Sequence, residues 1–251
     1  MRLVLLMLLA VSLVSPAWGE LPEMKRVLIV VSNVVDMGDA EAHDARNNLW
    51  EVAPPYHVFL AHNYDVDFVS PKGGRVEFSM EPIGISSYTI KYEGFLDRAN
   101  NSLAPGDVDP SEYDAVFIGG GYGSLFDVAS DKKLLSVIAM IYQGGGVVGG
   151  CGHGPGGFAN VVLNNGDFMV AGKKVAGFPN STEKTKAWAE HGNLLPFLVE
   201  DQLRKNGAEI INKENIADKN DVIIDQRIVS SMFLPSAALV AKEMILLMES
   251  S

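Results

Sequence analysis

The chain reads as one α/β domain, a parallel sheet sandwiched by helices on both faces, and three observations predict it. Short apolar runs alternate with segments of helical spacing from one end to the other. The strongest runs are continuous rather than alternating, as strands buried on both faces of a parallel sheet must be. One run ends in the turn Gly149-Gly150-Cys151-Gly152-His153-Gly154-Pro155, and in such sheets functional groups collect beyond the carboxyl ends of the strands.

The first nineteen residues read as a leader. Met1-Arg2 gives a short positive start, Leu3 to Val14 is an almost unbroken apolar run, and Ala17-Trp18-Gly19 offers small residues at the positions a signal peptidase reads. The run is too short to span a bilayer, which takes about 20 apolar residues, and Pro16 breaks it. A signal peptide over 1–19 is therefore expected. The mature chain, residues 20–251, is expected to be secreted or held in a secretory or periplasmic compartment. No membrane partner is expected after cleavage.

Strands are expected at Arg26–Ser32, Asp65–Ser70, Asp114–Gly119 and Gly146–Cys151, with shorter ones at Lys174–Phe178, Asp221–Asp225 and Ile228–Val229. Helical spacing covers roughly Ala45–Asn63, Lys132–Gln143, Pro155–Leu163, Leu194–Asn206 and Pro235–Met248. Two segments interrupt the alternation. Val34–Asp44 is a polar loop, and the stretch around 70–110 reads as an inserted lobe, where contacts with a second copy are expected.

A formal net charge of −11 argues against nucleic acid and anionic membrane surfaces as partners. The one cysteine, Cys151, allows no internal disulfide, so the core must hold itself together. His43, His57, His62 and His191 show no ligand spacing, and neither a metal nor a cofactor is expected. Asn100-Asn101-Ser102 and Asn180-Ser181-Thr182 are glycosylation triplets.

The turn after the fourth strand carries the chemistry. A strand running sharply into a helix between glycines is a nucleophile elbow: crowding neighbours are removed, and helix-end N–H groups can stabilise an anion. Pro155 suits the first helical turn, where its missing N–H does no harm. Cys151 is the candidate nucleophile and His153 its neighbour. The competing reading is a glycine-rich turn whose cysteine belongs to the core.

Gly-Cys-Gly-His-Gly-Pro after a strand resembles the DJ-1/PfpI (ThiJ) superfamily, whose flavodoxin-like, class I glutamine amidotransferase-like fold has an elbow reading Cys-His-Gly-Pro. Glu51-Val-Ala-Pro-Pro55 is similar to the segment bearing the family's acid. Ile118-Gly-Gly-Gly-Tyr-Gly123 resembles its oxyanion-side loop, and Gly177-Phe-Pro-Asn-Ser-Thr-Glu183 its late segment. The branch implied is that of glyoxalase III-type (D-lactate dehydratase) and chaperone-like proteins, which convert methylglyoxal to lactate without a cofactor. The resemblance implies Cys151, His153 and Glu51 as the catalytic set, a pocket or oxyanion loop of Gly120, Gly121, Gly152 and Tyr122, and Glu183 orienting a histidine. It also implies a small aldehyde as substrate and a homodimer.

Three departures bear on activity. Laid on His-Gly-Pro without a gap, the family pattern puts Gly152 in the nucleophile position and Cys151 one residue early, aimed away from the pocket. Tyr122 stands where the family often has a histidine, and Ser230-Ser-Met-Phe-Leu-Pro-Ser236 replaces a Thr-Gly-Gln-Asn-Pro pattern. Lost or impaired catalysis is expected. The alternative is a one-residue bulge that brings Cys151 into the pocket as the nucleophile of an active glyoxalase III-like hydro-lyase or hydrolase, with His153 and Glu51; a thiol within hydrogen-bond reach of Glu51 would overturn the expectation of inactivity.

Overall fold

A computed structural model describes residues 24–80, 82–186, 188, 194–212 and 221–250; the expected signal segment and His191 lie outside them. Six strands form the central sheet: β1 (Arg26–Val30), β3 (Asp65–Val69), β5 (Ala115–Ile118), β6 (Val147–Cys151), β9 (Ile223–Asp225) and β10 (Ile228–Ser231). Their order is β3-β1-β5-β6-β10-β9, every pair parallel except the antiparallel edge hairpin β9–β10. Two further pairs stand apart, β2 (Asn47–Asn48) with β4 (Phe78–Ser79) and β7 (Lys174–Val175) with β8 (Glu209–Ile210). The expected strand at Lys174 therefore pairs outside the central sheet.

Strand periodicity divides the interior into two cores. Leu28, Val30, Val116, Ile118 and Val148 point to one face, with Leu134 and Ile138 of helix α5 (Lys132–Gln143), Phe158 of α6 (Gly154–Phe158) and Leu203 of helix Val199–Lys205. Val27, Ile29, Phe117 and Val147 point to the other, against α1 (Leu49–Ala61) and helix Ala237–Ser250. The stretch 70–110 carries two helices, α2 (Ile85–Tyr92) and α3 (Phe95–Asn100). Phe95 is fully buried, edge-on to Tyr56 at 5.3 Å and to Phe68 at 5.3 Å. That ring anchors the lobe, and its loss to alanine would cost about 3–5 kcal/mol.

Two short helices, α4 (Gly123–Phe126) and α7 (Asn180–Glu183), follow loops at the carboxyl end of the sheet. Together with the amino ends of α1 and α6 they gather the chemical groups there.

Candidate active site

The elbow follows from strand parity. Val147, Gly149 and Cys151 face the α1 side; a Cβ on Gly149 would stand 2.2 Å from Met244 Sδ, so Met244 would have to shift to admit one. Cys151 shares that face, is fully buried and packs in the α1-side core. The next residue is the one that turns. Gly152 has φ +55°, its N–H donates to Ser231 O at 3.0 Å, and its carbonyl accepts from Phe178 N–H at 2.9 Å. A Cβ built on Gly152 would end 2.1 Å from Glu51 Oε1. Position 152 therefore holds the left-handed elbow conformation and aims its missing side chain at Glu51.

Glu51 reaches that point because the start of α1 is tied down. Asn48 caps the helix, its Oδ1 accepting from Trp50 N–H at 3.0 Å, while its own N–H donates to Gly120 O at 2.9 Å. Asn47 bonds both the N–H and the carbonyl of Ser32 just beyond β1. Gly120 and Gly121 permit this close approach. A Cβ on Gly120 would stand 2.1 Å from Glu51 Oε1, and one on Gly121 2.5 Å from Arg46 O. The Glu51 carboxyl thus lodges between Gly120 and Gly152. Burial lifts its pKa to about 8, against the opposing bonds from Cys151 and Asn48, so the group is a neutral carboxylic acid at neutral pH.

The Cys151 thiol lies 3.7 Å from Glu51 Oε1. Burial first, and then Glu51, pushes its pKa well above the ordinary thiol value, so the site does not make a thiolate of it. Glu51 lines the pocket beyond the strands, whereas Cys151 is not among the lining residues. Contact with Glu51 is made; access to the pocket is not.

His153 stands on the pocket side of the elbow. Its Nε2 is 2.7 Å from Glu183 Oε2, and the hydroxyl of Tyr122 donates to Glu183 Oε1 at 3.0 Å. One buried carboxyl therefore holds both rings. Phe178 stacks on His153 at 4.3 Å, Tyr122 meets His153 at a tilt of 50° and 4.4 Å, and Trp188 meets Tyr122 edge-on at 5.0 Å. Burial and Glu183 both push the Tyr122 phenol upward, which keeps it a donor.

The pocket measures about 500 Å³ and is lined by Glu51, Gly121, Tyr122, His153 and Phe178, with Asp44, Arg46, Met80, Lys186 and Leu234 among its other residues. A larger hollow of about 670 Å³ opens at Arg26, Asp114 and Gly146, beyond the amino ends of β1, β5 and β6 and away from these groups. The smaller pocket is assigned as the site, because Glu51 and His153 both line it. Of the residues expected from sequence, Glu51, Gly121, Tyr122 and His153 line it, Gly120, Gly152 and Glu183 support it from behind, and Cys151 sits beneath Glu51. Sequence reasoning missed Phe178 as a ring partner of His153 and the two cations at the mouth. Among the described residues no group of three or more His, Cys, Asp or Glu could hold a metal ion. His57 pairs with Glu93 at 2.6 Å and His43 with Asp39 at 2.8 Å.

The DJ-1/PfpI family pattern matches residues 44–246. Glyoxalase 3 of Candida albicans is 30% identical over 211 residues, covering 78% of this chain and 86% of that protein. A glutathione-independent glyoxalase of Saccharomyces cerevisiae is 27% identical, covering 74% of this chain and 83% of its own length. Among solved structures, glyoxalase III from Candida albicans superposes with a TM-score of 0.80 at 27% identity, covering 91% of this chain and 99% of that one. The 24 kDa rapid encystment protein of Francisella tularensis gives 0.80 at 28% identity, with 90% and 99% covered.

Proposed function

From the premise that this chain belongs to the DJ-1/PfpI family, in its glyoxalase III-like branch, we propose that its pocket receives a small aldehyde or related carbonyl compound, and that covalent turnover of methylglyoxal to lactate is lost or impaired. The observation that carries the proposal is position 152. The residue with φ +55° and a Cβ direction aimed at the Glu51 carboxyl is a glycine, so the elbow presents no nucleophile where one would meet both substrate and acid. The acid, Glu51, and the imidazole, His153, still line the pocket.

A second reading keeps the enzyme active through Cys151, whose thiol is within sulfur hydrogen-bond reach of Glu51 at 3.7 Å, as expected of an active nucleophile. Against it stand full burial and a raised pKa, since the neutral thiol is a poor nucleophile. Incubating residues 20–251 with methylglyoxal and measuring lactate separates the two. The proposal expects no lactate beyond the uncatalysed rate. Formation by the wild type that disappears in Cys151→Ala would establish the second reading.

Export of the mature chain belongs to the same proposal and is supported by the leader pattern of residues 1–19. So does self-association through the lobe, whose Ile83, Tyr88 and Tyr92 are exposed by 58%, 49% and 63%.

A further inference from the structure

We infer that the ligand of this pocket is a small molecule bearing both a carbonyl and a carboxylate, of the 2-oxo acid class, selected by Lys186 and Arg46 at the mouth. The inference rests on the reading of this pocket as the ligand site and goes on to name its charge.

The chain as a whole is strongly acidic, at −11, yet the pocket mouth carries two cations. Among the described residues Asp44 is the ionised acid that lines the pocket beside them, and Arg46 already occupies it; Glu77, outside the lining, also acts on Arg46. Arg46 Nε and Nη2 reach the Asp44 carboxylate at 2.9 and 2.8 Å, and Arg46 N–H adds a third bond at 2.9 Å. That fork leaves the outer edge of the guanidinium for a second anion. Lys186 is exposed and lines the same pocket, and among the described residues its ammonium makes no ion pair.

Deeper in, negative charge is withheld. Glu51 is neutral at pH 7, so the floor offers an O–H donor to a carbonyl oxygen rather than a repelling carboxylate. Glu183 stands behind the wall, covered by the Tyr122 hydroxyl and the His153 ring. A molecule with a carbonyl at one end and a carboxylate at the other matches this polarity: donor at the floor, cations at the mouth. A neutral dicarbonyl would satisfy the floor alone. A volume of about 500 Å³ accommodates molecules of this size with room for bridging water.

The test compares pyruvate with its uncharged isostere, butane-2,3-dione, by calorimetric titration of wild type and Lys186→Glu at low salt. Pyruvate is expected to bind the wild type at least tenfold more tightly than the dione. Lys186→Glu is expected to abolish most of that preference while leaving the dione's affinity in place. Lys186 is exposed, so the substitution should not disturb folding, and Lys186→Ala provides an intermediate case. Equal binding of the two ligands, or a pyruvate affinity indifferent to Lys186→Glu, overturns the charge selection and leaves the pocket as a carbonyl site. Binding of neither ligand overturns this inference together with the pocket assignment.

Discussion

The Glu51 carboxyl occupies the space into which a side chain at Gly152 would project, 2.1 Å from the ideal Cβ position. The acid and the absent nucleophile therefore compete for one place. The group in the way is the far end of a flexible side chain, so a larger residue at 152 can be admitted if Glu51 swings outward. Gly152→Cys should gain methylglyoxal-dependent lactate formation over the wild type, measured by enzymatic lactate assay. No gain in a folded Gly152→Cys protein would show that more than the nucleophile is missing. Gly152→Ala should lose about 1–3 kcal/mol in denaturant unfolding, because a non-glycine residue at φ +55° is strained.

Neutral Glu51 carries a consequence for stability. Its folded value of about 8 lies above the 4.5 of a free carboxyl, so between those limits the folded protein keeps a proton the unfolded chain has lost. Stability must fall as pH rises through that window and level off above it, with a slope approaching about 1.4 kcal/mol per unit from this group. Glu51→Gln replaces the acid with a neutral amide and should remove that component. Unfolding of both proteins at pH 5, 6, 7 and 8 checks it: the variant should gain on the wild type at each step. Parallel curves would mean that Glu51 is ionised in the folded state.

Cys151 should be chemically silent in the native protein. It is fully buried, and burial and Glu51 both hold its proton on. Aromatic disulfide reagents at pH 8 should label less than a tenth of the thiol over an hour, and label it fully in denaturant. Rapid native labelling would place the thiol within reach of the pocket and restore Cys151 as the nucleophile.

Much of the scaffold was legible in the sequence because local signals and tertiary demands agree. The α5 span of Lys132–Gln143 coincides with its apolar spacing, and Asp131 caps it by accepting from Leu134 N–H at 2.8 Å. The helix anticipated from Ala45 begins instead at Leu49, because Asn47 and Asn48 are spent tying the chain to Ser32 and Gly120. The helix anticipated from Pro155 to Leu163 stops at Phe158; the Ala159 carbonyl is taken by Asn206 Nδ2 at 2.8 Å. At the site, motif spacing identified the elbow, its histidine and both glutamates. It could not supply the lodging of Glu51 between Gly120 and Gly152, which depends on three loops distant in sequence closing to within one side chain's width. Nor could it supply the Phe178 stack, since an aromatic beside a proline carries no periodic signal.

The bond from Tyr122 to Glu183 is the test of how the pocket wall is held. Glu183 is 2% exposed, and its two oxygens are divided between Tyr122 and His153. Removing the hydroxyl leaves Oε1 without that donor in a place water does not readily enter, at a cost of about 1–3 kcal/mol. Loss of ring packing is not part of that cost, because phenylalanine keeps the contacts with His153 and Trp188. The prediction is therefore one of coupling rather than of a single number. Tyr122→Phe should destabilise the wild type by that amount and cost clearly less in a Glu183→Gln background, as a double-mutant cycle in urea would measure. The same cost in both backgrounds would mean that the phenol does not hold Glu183, and that His153 owes its orientation to its own bond with Glu183 and to the Phe178 stack.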